Sequence, residues 1–337
     1  MSLRILTWNV SFGAMTGSDL DKSAATLPEK CREKGHFLYK GAKYTQCLNN
    51  VVETIDSQNY FYDFIALQEA SNWNIIFSKS IKLQKMGSYV HHLAELEDMV
   101  TFYDNIKYTL LAVKVGNLVP GNGRPYQILF LQNNEDKSYY IFINLHNGHF
   151  ISKKQLVNRL SNNINIGFIP NESNIHYDLA NQSNDEVDIS NIISDKNFKV
   201  IMAGDFNDHG KYNYWRNLYP FSKTIFQNLK NIKVKAKDLP PPTCCTSVNL
   251  FFNEKKRNIN KNKYNIIFGD YILVSENLFL VIDNRVLLNF NNDANIFPTS
   301  DHLPVEIILN THDITIIYKE KYLKYKQKYV ILKKNFY

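Results

Sequence analysis

Lys199-Val200-Ile201-Met202-Ala203-Gly204-Asp205-Phe206-Asn207 is an apolar run that ends on a carboxylate and an amide, and the same construction recurs elsewhere in the chain. Leu3-Arg4-Ile5-Leu6 leads into Thr7-Trp8-Asn9, Phe64-Ile65-Ala66-Leu67 leads into Gln68-Glu69, and Ser300-Asp301-His302 borders a later apolar run. Short runs rich in aliphatic and β-branched residues, bounded by polar ones, read as buried strands. Each motif therefore puts an amide, carboxylate or imidazole where a strand gives way to a loop. Asn9, Glu69, Asp205, Asn207, Asp301 and His302 are distant in sequence but alike in context, and they are expected to converge on one pocket. That pocket would be rich in oxygen and free of thiolate, a donor set suited to Mg²⁺ or Mn²⁺ and not to zinc.

In identity and order these motifs resemble those of the endonuclease/exonuclease/phosphatase superfamily. It includes pancreatic deoxyribonuclease, apurinic endonucleases, tyrosyl-DNA phosphodiesterase, deadenylases, sphingomyelinases and inositol-polyphosphate 5-phosphatases. Two further positions of the family pattern fall between them, His146 in Ile143-Asn144-Leu145-His146 and Asp270 in Gly269-Asp270-Tyr271-Ile272-Leu273. The resemblance runs from residue 5 to about 309. It implies an α/β (α+β) fold, a four-layer sandwich of two mixed β-sheets flanked by helices.

The length of 337 residues allows one large domain or two smaller ones. If Asn9 and His302 share a pocket, no cut between them leaves an independent unit, so the expected organisation is a catalytic domain over 1–311 and a tail over 312–337. Hydrophobic residues make up 44% of the chain, ample for a core. No stretch approaches the ~20 apolar residues of a membrane span, and the early strand at Leu3–Leu6 leaves no room for a signal peptide, so a cytoplasmic or nuclear location is expected. Cys31, Cys47, Cys244 and Cys245 show no C-x-x-C spacing and are expected to be reduced thiols.

Net charge is +7, but residues 312–337 carry seven lysines against Asp313 and Glu320, a net of +5 that leaves only +2 for the remainder. The domain is thus no global polyanion binder, and any nucleic-acid footprint must be local. Lys230, Lys233, Lys235 and Lys237, then Lys255-Lys256-Arg257 with Lys261 and Lys263, could supply it, or could form a solvated loop. In the tail, Tyr318, Tyr322, Tyr325, Tyr329, Leu332 and Phe336 form a heptad-like seam on a Lys-rich helix. That helix could pack on its own domain, self-associate, or bind nucleic acid or another polyanion. Its Tyr-Leu-Lys-Tyr-Lys character resembles proteins of giant DNA viruses of amoebae, a likeness of origin and not of activity; for a viral protein, the host cytoplasm or nucleus, the viral factory and the virion are all candidate locations.

Residues 12–44 read as a loop or short-helix excursion overhanging the pocket. Leu48, Val51, Val52 and Ile55 recur at helical spacing. Strands are expected at 98–103, 107–115, 127–132 and 139–145 as one meander. A helix at 152–166 and a polar surface insertion at 171–196 should follow, then strands around 198–204, 266–275, 278–288 and 303–309.

The resemblance implies phosphodiester hydrolysis, which needs charge neutralised on the phosphoryl oxygens, an activated water in line, and help for the leaving group. Glu69 is the expected principal metal ligand, with Asn9 and Asp301 beside it. Asp205 would orient or deprotonate the water, and Asn207 would hydrogen-bond a phosphate oxygen. His302 would act as a general acid/base or transition-state donor, its tautomer fixed by Asp270. His146 would donate to the phosphate from the opposite wall. Apurinic endonucleases usually carry Tyr at that position, so the apurinic role is weakened, and His149 is a departure from the common pattern. The favoured reading is a Mg²⁺- or Mn²⁺-dependent nuclease or end-processing phosphodiesterase with nucleic acid as partner. A lipid or inositol-phosphate hydrolase would use the same core, but the Asp270 strand reads Phe268-Gly269-Asp270-Tyr271 and lacks the Trp-x-Asp-Arg of 5-phosphatases. A non-catalytic nucleic-acid-binding module is disfavoured because no core catalytic position is substituted.

Overall fold

The computed structural model describes residues 2–16, 46–93, 97–118, 124–148, 169–170, 176–177, 199–207, 229–231, 269–275, 280–286, 300, 302, 304–310, 323 and 325–326. Two mixed seven-stranded sheets face each other. The first holds β1 (Ser2–Asn9), β2 (Phe64–Gln68), β3 (Gly87–Leu93), β4 (Glu97–Tyr103), β9 (His176–Tyr177), β13 (Leu280–Val286) and β14 (Val305–Asn310), in the order β13-β14-β1-β2-β4-β3-β9. The second holds β5 (Tyr108–Asn117), β6 (Pro125–Asn133), β7 (Tyr139–His146), β8 (Ile169–Pro170), β10 (Lys199–Asp205), β11 (Leu229–Asn231) and β12 (Asp270–Ser275), in the order β11-β12-β10-β7-β6-β5-β8. Near the middle of each sheet is a parallel pair, β1–β2 in the first and β7–β10 in the second.

Helices α1 (Phe12–Thr16), α2 (Gln46–Asp56) and α3 (Trp73–Lys79) cover the outer face of the first sheet. The expected stripe on α2 is buried in full, Leu48, Val51 and Ile55 at 0% and Val52 at 9% exposure, against Leu6, Trp8, Ile65 and Leu67. Between the sheets, alternate residues of each strand point inward, as the pleat requires. Leu3, Ile5, Phe64, Ile307 and Leu309 meet Phe142, Tyr140, Ile201, Ile272 and Val274. Phe64 and Phe142 stack across the gap with ring centroids 4.6 Å apart.

Several expectations need correction. The four-strand meander is divided: β4 belongs to the first sheet and only β5, β6 and β7 form a meander in the second. The turn at Asp104–Lys107 carries the chain across, anchored by the Asp104 N–H on the Asp63 carbonyl at 2.9 Å and the Lys107 ammonium on the Asp63 carboxylate at 2.9 Å. Alternation reports a strand's faces but not the sheet it joins. Within the polar segment 171–196, His176–Tyr177 adds to β3 as a parallel edge strand, and the remainder lies outside the described residues. Cys47 is buried and disulfide-bonded, against the expected reduced thiols, and its partner lies outside the described residues. Spacing alone does not reveal disulfide connectivity. The helix at 152–166, all of 17–44, and the lysines between β11 and β12 lie outside the described residues. Of the tail, only Leu323, Tyr325 and Lys326 are described; all are helical, and Leu323 and Tyr325 are exposed. No helix among the described residues is long and apolar enough to cross a membrane.

One glycine is required by close approach. Gly204 pairs with Leu145 across the parallel β7–β10 ladder and has φ +151°; a Cβ there would lie 1.9 Å from the Leu145 carbonyl oxygen. Backbone cannot give way as a flexible side chain can. Gly204→Ala is therefore expected to cost about 2–4 kcal/mol of unfolding free energy, read from the shift in urea midpoint; a change within ~0.5 kcal/mol would contradict this packing.

Candidate active site

The topology brings the motifs to one end of the sandwich. Parallel pairing sets Asn9 beside Gln68 in the first sheet and His146 beside Asp205 in the second. Asp270 starts the antiparallel β12 directly opposite Asp205. Val305 pairs with Thr7, so Ser300 and His302, just before β14, fall at the same end.

The Asn9 amide joins the two sheets. Its Nδ2 donates to Glu69 Oε1 at 3.0 Å and to Asp205 Oδ2 at 3.1 Å, while its Oδ1 accepts the Ser11 N–H at 3.0 Å. The second carboxylate oxygen of Glu69 accepts the Phe12 N–H at 2.7 Å. In an extended strand Gln68 and Glu69 would point to opposite faces. Glu69 instead has φ +54°, and this left-handed turn swings its carboxylate back to the interior edge beside Asn9. Ser11 and Asn207 also have positive φ, +64° and +48°. Such conformations cost roughly 1–3 kcal/mol each and collect where function over-determines the backbone.

Asp205 is buried at 1% exposure, and its Oδ1 accepts the Asn207 N–H at 2.8 Å. Burial pushes its carboxyl up, but the imidazoles of His302 and His146, together with the Asn207 and Asn9 donors, outweigh that and hold it below the usual carboxylate value. The Asp205 Oδ2 atom lies 3.4 Å from His146 Nε2 and 3.7 Å from His302 Nε2. The other ring nitrogen of His302 faces Asp270, with Nδ1 at 2.9 Å from Oδ2 and 3.2 Å from Oδ1.

His302 is pinned through its backbone. Its N–H donates to Ser300 Oγ at 3.0 Å, Ser300 Oγ donates to the Asn9 carbonyl at 2.8 Å, and the Trp8 indole N–H donates to the His302 carbonyl at 3.0 Å. Trp8 and Ser300 thus belong to the site although only their neighbours were singled out as site residues.

His146 stands on the opposite wall, Nε2 at 3.7 Å from Glu69 Oε1, and Arg124 lies against both of its ring nitrogens, Nη1 at 3.2 Å from Nδ1. Sequence reasoning missed Arg124. The signal was available: the turn after Asn133 sets the β6–β7 register, Tyr126 pairs with Leu145, and Arg124 then falls beside the His146 end. Asn207 sits at the site but directs one amide N–H to the Asn147 carbonyl at 2.6 Å. Asn147 was also missed; its own amide donates to the Phe206 carbonyl at 3.2 Å and holds the two loops together. Of the predicted set, the structure brings together Asn9, Glu69, His146, Asp205, Asn207, Asp270 and His302. Asp301 lies outside the described residues.

Asp205, Asp270 and His302 form a buried group whose candidate ligand atoms lie within 4.8 Å of one another and could hold a metal ion. Glu69 is the more open carboxylate, 16% exposed against 1% for Asp205 and 0% for Asp270.

Comparison with known proteins agrees with this fold. The chain is 28% identical over 313 residues to the uncharacterized protein L684 of Acanthamoeba polyphaga mimivirus, an alignment covering 90% of this chain and 49% of that one. The chain thus spans about half the length of that relative. Among solved structures, the mannosyl-6-phosphatase of Bacteroides thetaiotaomicron superposes with a TM-score of 0.54 at 16% identity, covering 91% of this chain and 99% of that one. D. rerio TDP2, solved with a single-strand DNA product, superposes with a TM-score of 0.50 at 14% identity, covering 92% and 99%. The family model for Endonuclease/Exonuclease/phosphatase proteins matches residues 6–302. That span contains every site residue described above, and the chain belongs to the Endonuclease/Exonuclease/phosphatase family.

Proposed function

We propose that this chain is a divalent-metal-dependent phosphodiesterase that hydrolyses phosphodiester bonds in nucleic acid, as a nuclease or an end-processing enzyme. The observation that carries the reading is the Asn9 amide held between Glu69 and Asp205, with the His302–Asp270 pair at 2.9 Å alongside. An oxygen donor set and an acid/base pair thereby surround one spot at the end of the sandwich. The single-strand DNA product in D. rerio TDP2 supports nucleic acid as the substrate class.

Glu69, with Asn9 and Asp301, would hold Mg²⁺ or Mn²⁺. A hard cation keeps several waters, and the partly exposed Glu69 carboxylate leaves room for them, whereas Asp270 is dehydrated and both its oxygens face the His302 imidazole. The bound ion would supply charge neutralisation at the phosphoryl oxygens. Asp205, held ionised, would orient the attacking water and take up its proton. His302 would donate to the phosphoryl group, its ring oriented by Asp270. Asn207, His146 and Arg124 would donate to the remaining phosphate oxygens, Arg124 through a planar fork that matches phosphate.

The deciding experiment is a substrate panel with Mg²⁺ or Mn²⁺ and an EDTA control. It comprises single- and double-stranded DNA, RNA, 5′-phosphotyrosyl DNA, poly(A), sphingomyelin, inositol phosphates and mannose 6-phosphate. Cleavage of nucleic acid that EDTA abolishes is expected. Turnover confined to lipid, inositol phosphate or sugar phosphate would replace the substrate class, and no turnover of any member would remove the enzymatic reading.

We place residues 312–337 outside the catalytic unit, since every proposed catalytic residue precedes Leu303. Deleting them should leave kcat on a short saturating substrate within about twofold. If the tail binds a polymer, its deletion should weaken binding to long DNA and flatten log K against log salt, by about 0.9 for each phosphate no longer neutralised. If it self-associates, the mass by light scattering should fall. An insoluble truncated protein would show the tail to be part of the core.

A further inference from the structure

Three of the site motifs also carry a polar residue that the proposed chemistry does not use: Thr7 in Thr7-Trp8-Asn9, Gln68 before Glu69, and Asn144 two residues before His146. All are at 0% exposure, deep between the sheets. Along the inward face of each strand the interior changes in steps. Leu3 and Ile5 precede Thr7 and then Asn9; Phe142 precedes Asn144 and then His146. An amide and hydroxyl layer thus separates the apolar core from the site.

The layer is bonded from sheet to sheet. Gln68 Nε2 donates to Asn144 Oδ1 at 2.7 Å and to Thr7 Oγ1 at 3.2 Å. Asn144 Nδ2 donates back to the Leu67 carbonyl at 3.3 Å, the Val100 carbonyl at 3.1 Å and Thr101 Oγ1 at 3.1 Å. Thr101 Oγ1 donates to Gln127 Oε1 at 2.6 Å, and Gln127 Nε2 donates to the Met99 carbonyl at 2.9 Å. The acceptors fix the amide orientations: Asn144 Nδ2 faces two carbonyls, which would repel a flipped amide oxygen, and its Oδ1 then fixes Gln68. Among the described residues, Gln68 Oε1 is a buried acceptor with no hydrogen-bond partner. A side chain kept at that cost serves something that an apolar residue of the same size would not.

We propose that Gln68 and Asn144 are positioning residues, an inter-sheet clamp that sets the separation between Glu69 on the first sheet and His146 and Asp205 on the second. The placement is direct: Gln68 is covalently joined to Glu69, Asn144 lies two residues before His146 on one strand face, and the 2.7 Å bond ties the two. The bridging Asn9 amide tolerates little drift, since it reaches Glu69 and Asp205 at 3.0 and 3.1 Å at once. As a claim about catalysis this rests on the metal-dependent phosphodiesterase reading; as a claim about geometry it does not.

The test uses the full chain with Gln68→Met and Asn144→Leu, singly and combined. Unfolding in urea should show the two losses to be strongly non-additive, as for residues sharing one bond. A crystal structure of Q68M should show Asn9 Nδ2 no longer reaching both Glu69 and Asp205. With turnover established for the parent protein, the metal concentration for half-maximal rate should rise about 10–100-fold while KM at saturating metal stays within about threefold. Should Q68M fail to fold, Asn144→Thr, which removes the same bond but leaves a hydroxyl in the polar layer, carries the same measurements. Additive unfolding losses, or an unmoved Glu69 in the variant structure, overturn the clamp whatever the protein hydrolyses. A coupled pair with unchanged metal dependence also overturns it, leaving a purely structural bond. An inactive parent protein removes the functional reading, and the crystal structure then decides the geometric one.

Discussion

Glu69→Gln is expected to lower the hydrolysis rate at least about 10²-fold, the loss typical when one strong transition-state stabiliser is removed. The substitution keeps the shape but not the acceptor pattern. Glu69 accepts from Asn9 Nδ2 on one oxygen and from the Phe12 N–H on the other, at 3.0 and 2.7 Å. A glutamine amide has one oxygen, so one of these donors must face an NH₂ group, at a cost of about 1–3 kcal/mol. The anionic ligand for a hard cation is removed as well. Metal titrations of the rate should therefore move for E69Q by at least the ~10–100-fold that losing an outer-shell partner of a ligand costs. They should move far less for Asp270→Asn, because Asp270 already faces the His302 ring with both oxygens. The opposite pattern, with E69Q unchanged and D270N needing much more metal, would place the ion in the Asp205, Asp270 and His302 group.

This contrast also shows what could be read from sequence. The strand ends were legible because an apolar run stopping at a polar tripeptide is a local signal, and the motif order put Asn9, Glu69, Asp205 and His302 at one place. The α2 stripe was legible for the same reason. The left-handed turn at Glu69 was not, because nothing marks a glutamate for φ +54°; only the packed site shows that both Gln68 and Glu69 must face inward. The division between β4 and β5 was hidden because an apolar run carries no mark of the sheet it joins, and the turn between them is tied to Asp63, some forty residues earlier, which takes Lys107 and the Asp104 N–H. Arg124 could have been found only by carrying the hairpin register through to its end. Gln68 and Asn144 were visible as residues, but their bond depends on how closely the sheets approach, a tertiary quantity.

His302→Ala and Asp270→Ala are each expected to lower the rate about 10²–10⁴-fold, the contribution of a positioned general acid–base group. The double variant should be little worse than the weaker single. The two groups act as one unit in the geometry: Nδ1 of His302 lies 2.9 Å from Asp270 Oδ2, while Nε2 faces the Asp205 side of the site. Without Asp270 the ring loses the acceptor that holds its Nδ1–H and so its tautomer; without His302 the carboxylate has no reacting group to orient. Removing the second partner then takes away nothing the first had not already disabled. Stability must be followed in parallel, because His302→Ala leaves the Asp270 carboxylate, 0% exposed, without the imidazole, and stranding one member of a buried pair costs about 3–5 kcal/mol. The rates are therefore compared at equal folded fraction, fixed by urea unfolding of each variant under assay conditions. Losses that add in log rate, each folded protein being counted, would show that His302 and Asp270 work independently and that the 2.9 Å approach is structural alone.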